Sequence, residues 1–445
     1  LYKRSPNQST AQKKEKYSQK PKNDLFVCKF LHISNNSDKW LKNQQNNARM
    51  PLYMNKDEQI ELLLTKGVEQ ILPNSDFVRS QLNSDKKLTI YCGFDPTAPT
   101  LHIGHAITLR KLKQFQDLGH QIIFLIGDFT ARAGDPTDKS IVRKLLSEKE
   151  IKTNLKLYKK QASSFISFSG RNKALVKFNN DWLGKMRFAD VLFLASQMTV
   201  EQMQKRDMFV KRHQEGKPVY IHEFLYPLMQ GYDSVAMNVD GEVGGNDQLF
   251  NMLAGRALLK QLKNKEKFVI TMKLLADSGG KKMSKSEGNM IALSDKPEDI
   301  YGKVMSWEDS MMGVGFELCT DLSNKEAQSI LSGNPRDAKM RLAFEITKSV
   351  HGEKSAIFAQ DQFVNTFQKK EIPSDVKTIK SGDMEFQDIL IDQNIVSSKG
   401  EARRLVEGGA ITELETNKTI SFEEIKKVPE KGTYKIGKNR FIKII

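Results

Sequence analysis

The spacing of apolar residues predicts a strand, a helix and a second strand between residues 87 and 129. The stretch KLTIYCGF (87–94) alternates and carries β-branched residues, which is typical of a strand. HAITLRKLKQFQDLG then places apolar residues at helical spacing and ends at Gly119, a C-terminal stop. HQIIFLIGDF (120–129) is a short, nearly continuous apolar run of the kind found in buried parallel strands. This order predicts a βαβ unit in an α/β fold with a parallel sheet.

The pattern changes after about residue 290, which predicts several domains. Residues 296–370 show helical spacing with start and stop signals throughout, whereas KKEIPSDVKTIKSGD is charged and poor in large apolar residues, as a linker is. The last part combines two short helical patterns, which end at a Gly-Gly pair, with short β-like pieces. We therefore expect an α/β domain, a helical domain, a linker and a small α+β domain, at residues 54–295, 296–372, 373–383 and 384–445.

Residues 1–53 differ from the rest of the chain in composition. They are rich in Asn, Gln, Lys and Ser and show no sustained helical or strand period. Such a segment cannot bury enough apolar surface to offset chain entropy, so we expect a disordered basic tail. Because the first methionines are Met50 and Met54, two origins stay open: sequence translated upstream of a start there, or a targeting peptide, although targeting peptides favour Arg and Ser.

Composition narrows the class of protein. Hydrophobic residues make up 39% and charged residues 28% of the 445, as in ordinary globular proteins. The sequence contains no run of about 18 apolar residues, which a membrane-spanning helix would need. Cys28, Cys92 and Cys319 stand far apart, without the spacing of a structural zinc site or a disulfide framework. This suits a reducing compartment, and we expect a cytoplasmic protein, or an organellar one if the first segment is a targeting peptide. The net charge of +16 fits a solvated surface or a polyanionic partner such as nucleic acid.

Two short polar motifs decide the chemistry. LHIGH (101–105) opens the predicted helix, and GGKKMSKSEGN (279–289) holds three lysines and two serines beside a glycine pair. Taken singly, the first reads as a partly exposed helix cap and the second as a surface loop. Together they offer histidine donors, a helix N-terminus and mobile ammonium groups, which suit negative charge on phosphate oxygens. The sequence lacks both the glycine pattern of dinucleotide-binding folds and the Walker lysine loop. If a nucleotide binds, residues other than a glycine-rich loop must contact its phosphates.

HIGH at 102–105 and KMSKS at 282–286, in this order, resemble the two signatures of the class I aminoacyl-tRNA synthetases. The resemblance implies a Rossmann-like catalytic domain over residues 54–295, with ATP as substrate together with Mg²⁺ and no structural metal. In that family the amino-acid carboxylate attacks the α-phosphate, and the acyl group of the adenylate then passes to the terminal ribose of a tRNA. The implied catalytic residues are His102 and His105 as fixed donors, and Lys282 and Lys285 as mobile ones.

YCGFDPTAPTLHIGH (91–105) resembles in particular the bacterial-type tyrosyl-tRNA synthetases, in the subgroup with full HIGH and KMSKS motifs. The likeness covers roughly residues 54–445, and it implies L-tyrosine and tRNA(Tyr) as partners and a homodimer. Tyr91 and Asp233 would pair with the phenolic hydroxyl of the substrate. Tyr226, Gln230 and Asp135 would hold its α-ammonium, and Gln248 would orient its carboxylate.

One segment supports this assignment from the residues alone. In HEFLYPLMQGYDS, Tyr226, Gln230 and Asp233 fall at i, i+4 and i+7, so a phenol, an amide and a carboxylate share one helix face. An exposed polar stripe would look the same. The same segment also holds Phe224 and Leu228, which predicts a largely buried helix whose polar face needs something to bind.

The resemblance also implies which residues bind ATP. EVGGNDQLFN (242–251) resembles the family's ribose-binding turn, although Glu242 stands where part of the family has Gln. Thr130, Asn179 and Trp182 are further candidates for lining or supporting the pocket. The resemblance implies these ATP-binding residues: Cys92, Gly93, Asp95, Gly104, Gly245, Asp247 and Lys285.

The C-terminal stretch SSKGEARRLVEGGAI resembles a small RNA-binding fold of a ribosomal protein, which many bacterial-type tyrosyl enzymes carry at this position. Lys399, Arg403 and Arg404 place positive charge along one predicted helix, which suits phosphate contacts. A solvated charged face would look similar.

Three other identities stay open on the sequence. A tryptophanyl enzyme shares the fold and both signatures, although Tyr91 and Asp233 argue against it. A small-molecule adenylate-forming enzyme such as a pantothenate synthetase also uses a His-x-Gly-His turn, but the helical and RNA-binding parts disfavour it. A catalytically inactive paralogue that only binds RNA would be expected to have lost a signature histidine or lysine, and this chain keeps them.

Overall fold

The first part of the structure is built on a six-stranded sheet. The computed structural model describes residues 55–136, 146–276, 290–367, 376–416, 418–437 and 440–445, so the predicted tail at 1–53 lies outside the described residues. The strands are Val68–Leu72 (β1), Thr89–Phe94 (β2), Gln121–Ile126 (β3), Leu175–Phe178 (β4), Gly241–Gly245 (β5) and Phe268–Met272 (β6). Their order in the sheet is β1-β6-β5-β2-β3-β4.

The sheet is parallel except at one edge. β6, β5, β2, β3 and β4 pair in parallel, and β1 pairs with β6 antiparallel. The chain leaves β2 towards β3 on one side and returns to β5 on the other side, so the winding direction reverses between β2 and β5. Ligands of open α/β sheets bind at the carboxyl ends of the strands at such a reversal.

The helices of this part connect the strands. The predicted βαβ unit is confirmed, since a helix over Ile103–Asp117 joins parallel strands β2 and β3. The helices before β6 are Lys56–Thr65 (α1), Ser75–Asn83 (α2), Ile103–Asp117 (α3), Thr130–Ala133 (α4), Glu148–Leu155 (α5), Tyr158–Ala162 (α6), Asn180–Leu183 (α7), Phe188–Ala195 (α8), Val200–Gln204 (α9), Asp207–Gln214 (α10), Ile221–Met237 (α11) and Leu249–Lys263 (α12).

The two faces of the sheet have different neighbours because side chains alternate along a strand. Cys92 and Phe94 of β2 belong to the large apolar cluster that contains the buried face of α3. Tyr91, the residue before Cys92, lies in a separate cluster with Ile123 and Leu125 of β3. The same alternation therefore buries α3 on one face and directs Tyr91 to the other.

The apolar residues of MNKDEQIELLLTKGVEQILP (54–73) stand at helical spacing, which predicts a helix, but the described residues of this stretch do not form one continuous helix. α1 ends at Thr65, and Gly67 adopts a positive φ of 67°, which L-residues rarely take. The chain turns there and VEQIL forms β1 at the edge of the sheet. A break at a glycine and pairing with β6 override the local helical pattern.

Residues 296–367 are helical, as predicted. The helices are Pro297–Met305 (α13), Met312–Cys319 (α14), Asn324–Leu331 (α15), Pro335–His351 (α16) and Glu353–Phe367 (α17). Buried residues such as Ile300, Phe316 and Leu342 join the same apolar cluster as the sheet and α3. This helical part therefore shares one continuous core with the sheet.

The C-terminal part has its own sheet and its own apolar cluster. The helices are Phe386–Asp392 (α18) and Lys399–Glu407 (α19), and the strands are Lys377–Ile379 (β7), Ile411–Glu413 (β8), Lys418–Thr419 (β9), Gly432–Ile436 (β10) and Arg440–Ile444 (β11), in the sheet order β7-β11-β10-β8-β9. The predicted helices and strands are confirmed. The segment predicted as a linker, 373–383, contains β7, which pairs in parallel with β11 and buries only Ile379, too little apolar surface to show in the sequence.

None of the helices in the described residues combines the length and the apolar character that a membrane span requires.

Candidate active site

The predicted site residues gather where the parallel strands end. Asp95 directly follows β2, Thr130 and Asn179 come just after β3 and β4, and Asn246–Gln248 forms a 3₁₀ turn directly after β5. The carboxyl ends of parallel strands meet at one edge of the sheet, so these polar groups share the crevice at the reversal between β2 and β5.

The HIGH turn is fixed by its own side chains. His102 is the N-cap of α3, and its Nδ1 accepts from the amide of Gly104 at 3.1 Å, while the His102 amide donates to Nδ1 of His105 at 3.1 Å. The two rings lie 3.8 Å apart between centroids. A Cβ on Gly104 would come within 2.9 Å of Cε1 of His102, so glycine is needed there for the ring to lie across the turn. Both half-buried histidines are thus held at the N-terminus of a helix, where anions bind.

Lys282 and Lys285 lie outside the described residues, but the segment that follows them contacts the histidine turn. The amide of Ile103 donates to the carbonyl of Ile291 at 2.9 Å, and the amide of Leu293 donates to that of Leu101 at 2.8 Å. His102 and Ala292 form an antiparallel bridge between the two segments. The chain that follows KMSKS in the sequence is therefore fixed beside HIGH.

Asp233 is the most enclosed carboxylate of the predicted tyrosine site. It is 2% exposed, and it accepts from Nε1 of Trp182 at 2.8 Å and from Nδ2 of Asn179 at 3.3 Å. Burial raises the pKa of Asp233 well above its usual value, although both hydrogen bonds act against this shift. Trp182 and Asn179 were both predicted from the sequence as candidates for lining or supporting the pocket.

Tyr91 is buried beside this carboxylate. Its hydroxyl lies 2.9 Å from Oγ of Ser234. Burial raises the pKa of Tyr91 well above its usual value, and the Glu242 and Asp233 carboxylates add to this shift. The structure thus brings Tyr91 and Asp233 into one electrostatic environment, although the Tyr91 hydroxyl bonds to Ser234, which the sequence did not single out.

The predicted helix α11 is confirmed and is largely buried, with a glycine at its crossing with α12. A Cβ on Gly231 would lie 3.0 Å from the amide nitrogen of Gly255, so two glycines let the helices approach closely. Tyr226 donates to Oδ2 of Asp95 at 2.8 Å, and Gln230 donates to Oε1 of Glu242 at 3.3 Å. The tyrosine set is therefore linked to Asp95, which the sequence placed on the ATP side.

Asp135 and Gln248, both predicted around the substrate, contact each other directly. Nε2 of Gln248 donates to Oδ2 of Asp135 at 2.8 Å, and Oε1 of Gln248 accepts from the fully buried Asn251 at 2.9 Å. Since Asn251 fixes the amide of Gln248 from behind, the relay orients both predicted substrate contacts. Asn251 was not identified from the sequence, where it reads as an ordinary helix residue.

The predicted ATP residues differ in accessibility. Gly93 is exposed, Gly245 and Asp247 are half-buried, and a Cβ on Gly245 would lie 2.4 Å from Oδ1 of Asp247. This close approach explains the glycine. Cys92 is 6% exposed and belongs to the core, and burial raises the pKa of its thiol to about 12.

A buried ion pair lies beneath the site. Lys267 is fully buried, and its ammonium donates to the Glu242 carboxylate and to Oγ of Ser234, the latter at 2.8 Å. Burial lowers the pKa of Lys267, and the Glu242 charge acts against this shift. Sequence reasoning missed this lysine because it ends the charged run KNKEK, which is typical of a solvated turn. The available signal was Glu242 itself, a carboxylate inside an apolar strand that needs a buried cation.

The predicted RNA-binding residues lie on the exposed face of α19. Lys399 pairs with Asp388 at 2.8 Å, and Arg403 pairs with Glu407 at 2.8 Å. Arg403 also stacks over the ring of Phe422, 4.9 Å from its centroid. An RNA would have to compete with these pairs, which at exposed sites cost little to break.

Among the described residues, no group of three or more His, Cys, Asp or Glu side chains is arranged to hold a metal ion.

Known proteins match the chain over most of its length. A family model described as "tRNA synthetases class I (W and Y)" matches residues 83–368. Tyrosine–tRNA ligase of Thermotoga maritima is 42% identical over 402 residues, which cover 88% of this chain and 98% of that protein. Tyrosine–tRNA ligase of Carboxydothermus hydrogenoformans is 42% identical over 401 residues, which cover 86% of this chain and 97% of that protein.

Solved structures agree on the fold. A truncated mitochondrial tyrosyl-tRNA synthetase of Aspergillus nidulans matches with a TM-score of 0.59 at 23% identity, over 75% of this chain and 100% of that one. The tyrosyl-tRNA synthetase of Archaeoglobus fulgidus, solved with L-tyrosine, matches with a TM-score of 0.56 at 22% identity, over 69% of this chain and 100% of that one. From the matched family model and from relatives that align over nearly their whole length, the chain belongs to the bacterial-type tyrosyl-tRNA synthetases of class I.

Proposed function

We propose that the protein activates L-tyrosine with ATP, giving tyrosyl-adenylate and pyrophosphate, and then transfers tyrosine to the 3′-terminal ribose of tRNA(Tyr). The observation that carries the choice of amino acid is the buried Asp233 carboxylate, held by Trp182 and Asn179 beside Tyr91. A phenolic hydroxyl would donate a further hydrogen bond to this carboxylate, whereas phenylalanine has no hydroxyl to donate. Tyrosyl-tRNA synthetases are the familiar example of such discrimination.

The other predicted residues divide between the two substrates. We propose that Tyr226, Gln230 and Asp135 hold the α-ammonium and that Gln248 orients the carboxylate for attack on the α-phosphate. Carboxylate and amide oxygens suit an ammonium group, which only donates. The proposed ATP contacts are Cys92, Gly93, Asp95, Gly104, Gly245, Asp247 and Lys285.

We propose that the two signatures stabilise the charge that develops on the triphosphate. His102 and His105 stand at a helix N-terminus, where fixed donors can face phosphate oxygens. Lys282 and Lys285 would supply ammonium groups from the neighbouring segment. We propose that Mg²⁺ arrives with ATP as part of the substrate, because Mg²⁺ in such sites is bound mainly through phosphate oxygens and water.

One assay separates the candidate functions. ATP–pyrophosphate exchange should respond to tyrosine and not to the other nineteen amino acids. A response to tryptophan would identify a tryptophanyl enzyme. A protein that binds tRNA but shows no exchange with any amino acid would be an inactive paralogue.

We propose that the protein acts as a homodimer through an exposed apolar surface. This surface is formed by Phe188, Leu192 and Phe193 of α8 with Ile221 at the start of α11, and α8 packs against α11. Phe188 and Ile221 are 78% and 80% exposed, which is unusual for large apolar side chains. Ile221→Asp should convert a dimer to a monomer in sedimentation-equilibrium measurements. A wild-type protein that sediments as a monomer would contradict the proposal.

We propose that residues 376–445 bind tRNA through the exposed basic face of α19 and that the protein works in the cytoplasm. The charges of Lys399, Arg403 and Arg404 and the bacterial origin of the relatives support these two statements. Fractionation of cells that express the chain would test the location.

A further inference from the structure

The buried pair of Lys267 and Glu242 touches both ends of the proposed tyrosine pocket. On the phenol side, the Lys267 ammonium donates to Ser234, whose Oγ lies 2.9 Å from the Tyr91 hydroxyl. On the ammonium side, Glu242 accepts from Nε2 of Gln230 at 3.3 Å. One ion pair therefore contacts groups that are proposed to recognise opposite ends of the substrate.

The fold places this pair at the reversal between β2 and β5. Tyr91 and Glu242 are register partners across these strands, so their side chains lie on the same face of the sheet. The ammonium of Lys267 lies against Gly255 of α12, where a Cβ would come within 2.7 Å of Nζ. The glycine leaves the space that the ammonium occupies, and the two buried charges compensate each other, with 0% and 3% of their side chains exposed.

The charges fix the direction of the hydrogen bonds that Lys267 and Glu242 make. An ammonium only donates, so Ser234 must accept from Lys267, and its own hydrogen is available for the Tyr91 oxygen. A carboxylate only accepts, so Gln230 must turn its NH₂ group to Glu242, and this leaves its carbonyl oxygen for a donor in the pocket. That carbonyl is the group that a substrate ammonium needs.

We propose that Lys267 and Glu242 are positioning residues for the substrate tyrosine, which set the orientation of the Gln230 amide at the ammonium end and of the Tyr91 hydroxyl at the phenol end. The inference rests on the proposed tyrosine activation. It also explains why this chain has Glu rather than Gln at position 242: a glutamine there could accept or donate, and it would allow Gln230 to turn over.

Single substitutions should separate the two ends in ATP–pyrophosphate exchange. Glu242→Gln should raise the KM for tyrosine about tenfold, because a misdirected hydrogen bond to a charged group loses about this much. It should leave inhibition by 3-(4-hydroxyphenyl)propionate unchanged, since this analogue lacks the ammonium. Ser234→Ala should lower the preference for tyrosine over phenylalanine about tenfold. Lys267→Met should lower the same preference, because methionine cannot donate to Ser234, and the KM for ATP should be unchanged in all three variants.

A matched control separates positioning from stability. Lys66 is also a buried lysine, and its ammonium donates to the carbonyl of Thr320 at 2.7 Å, at the junction with the helical part. Lys66→Met should lower the melting temperature as Lys267→Met does, and it should leave the KM for tyrosine and the preference over phenylalanine unchanged.

The double variant Glu242→Gln/Lys267→Met decides the question if the single variants fold poorly. Removing both charges should restore stability, because neither is left buried alone. The tyrosine KM should stay raised, since methionine cannot donate to Ser234 and the amide does not fix Gln230. Recovery of wild-type tyrosine kinetics in the double variant, or single variants that behave like Lys66→Met, would overturn the inference. A wild-type protein without tyrosine-dependent exchange would instead overturn the proposed function.

Discussion

At the scale of single residues, the pocket depends on buried polar groups that constrain one another. Asp233 is buried with two donors, and Lys267 is buried with Glu242 and Ser234. Each group is costly to bury without its partners, so each helps to fix the next. Sites of this kind are often less stable than a site optimised for stability alone, so a substitution there can raise the stability of the protein while it lowers activity.

Asp233→Asn should separate stability from activity. The folded-state pKa of Asp233 is raised, so its contribution to stability is full below the ordinary carboxyl pKa, about 3.9, and is lost as pH rises through the folded-state pKa. Asparagine does not titrate. The melting temperature of the variant relative to the wild type should therefore increase from about pH 5 to about pH 8.

The same variant should lose at least about tenfold in kcat/KM for tyrosine, because hydrogen bonds to charged groups are worth about 1.5–3 kcal/mol. Thermal melts at both pH values and exchange kinetics check the two parts. A difference in melting temperature that does not change with pH would show that Asp233 ionises as an exposed carboxyl does.

At the scale of elements, the start of α3 joins the first signature to the segment after the second. His102 caps the helix, its ring lies against Gly104, and its backbone bridges to Ala292. The local geometry of one turn therefore serves helix formation and packing, together with the phosphate binding that we propose.

Gly104→Ala should impair catalysis without loss of stability. The new Cβ would lie 2.9 Å from Cε1 and 3.0 Å from Nδ1 of His102, so the ring must move. Alanine favours a helix by about 1 kcal/mol over glycine, which offsets the local strain. The rate of tyrosine-dependent exchange should fall at least about tenfold.

Gly302→Ala in α13 is the matched control. A Cβ there meets no atom within 4 Å, so the variant should gain about 0.5–1 kcal/mol in the free energy of unfolding and keep its exchange rate. Denaturant unfolding and exchange kinetics measure both variants. Equal exchange rates for the two would mean that the position of the His102 ring does not matter to the reaction.

At the scale of the whole molecule, the apolar clusters distinguish the helical part, which shares a core with the sheet, from the C-terminal part, which does not. Residues 296–367 share the core of the sheet, whereas the C-terminal residues pack around a cluster of their own. β7 completes the C-terminal sheet, although it lies before residue 384, the predicted start of this part.

Deletion of residues 376–445 should leave tyrosine-dependent pyrophosphate exchange within about twofold of the full chain and strongly reduce aminoacylation of tRNA. The reason is that the described C-terminal residues form an apolar cluster separate from those of the sheet, α3 and α11. The difference in aminoacylation rate between the full and the truncated protein should become smaller as the salt concentration increases, because salt screens the contacts to phosphates.

Circular dichroism provides the control for this truncation. A truncated protein that is folded but has no exchange would contradict the assignment of chemistry to the first part. A cut at residue 384 would leave β7 without its partner strand, and we expect it to be less soluble than a cut at residue 376.

The sequence by itself determined the elements whose signals are local. The alternation of KLTIYCGF, the apolar run of QIIFLI and the helical spacing after HIGH predicted β2, α3 and β3, because one buried face imposes its period on the residues. The signatures likewise identified the family, since the residues of a short motif stand together in the chain.

Only the tertiary structure decided which distant polar groups meet. Lys267 looked solvated in a charged run, β7 looked like a linker, and the contact of Tyr226 with Asp95 joined two sets that the sequence kept apart. The physical reason is that a buried hydrogen bond or ion pair depends on partners far away in sequence. Neither member shows its burial in its own neighbourhood, and the sheet that brings them together pairs β2 with β5, which are separated by more than a hundred residues in the chain.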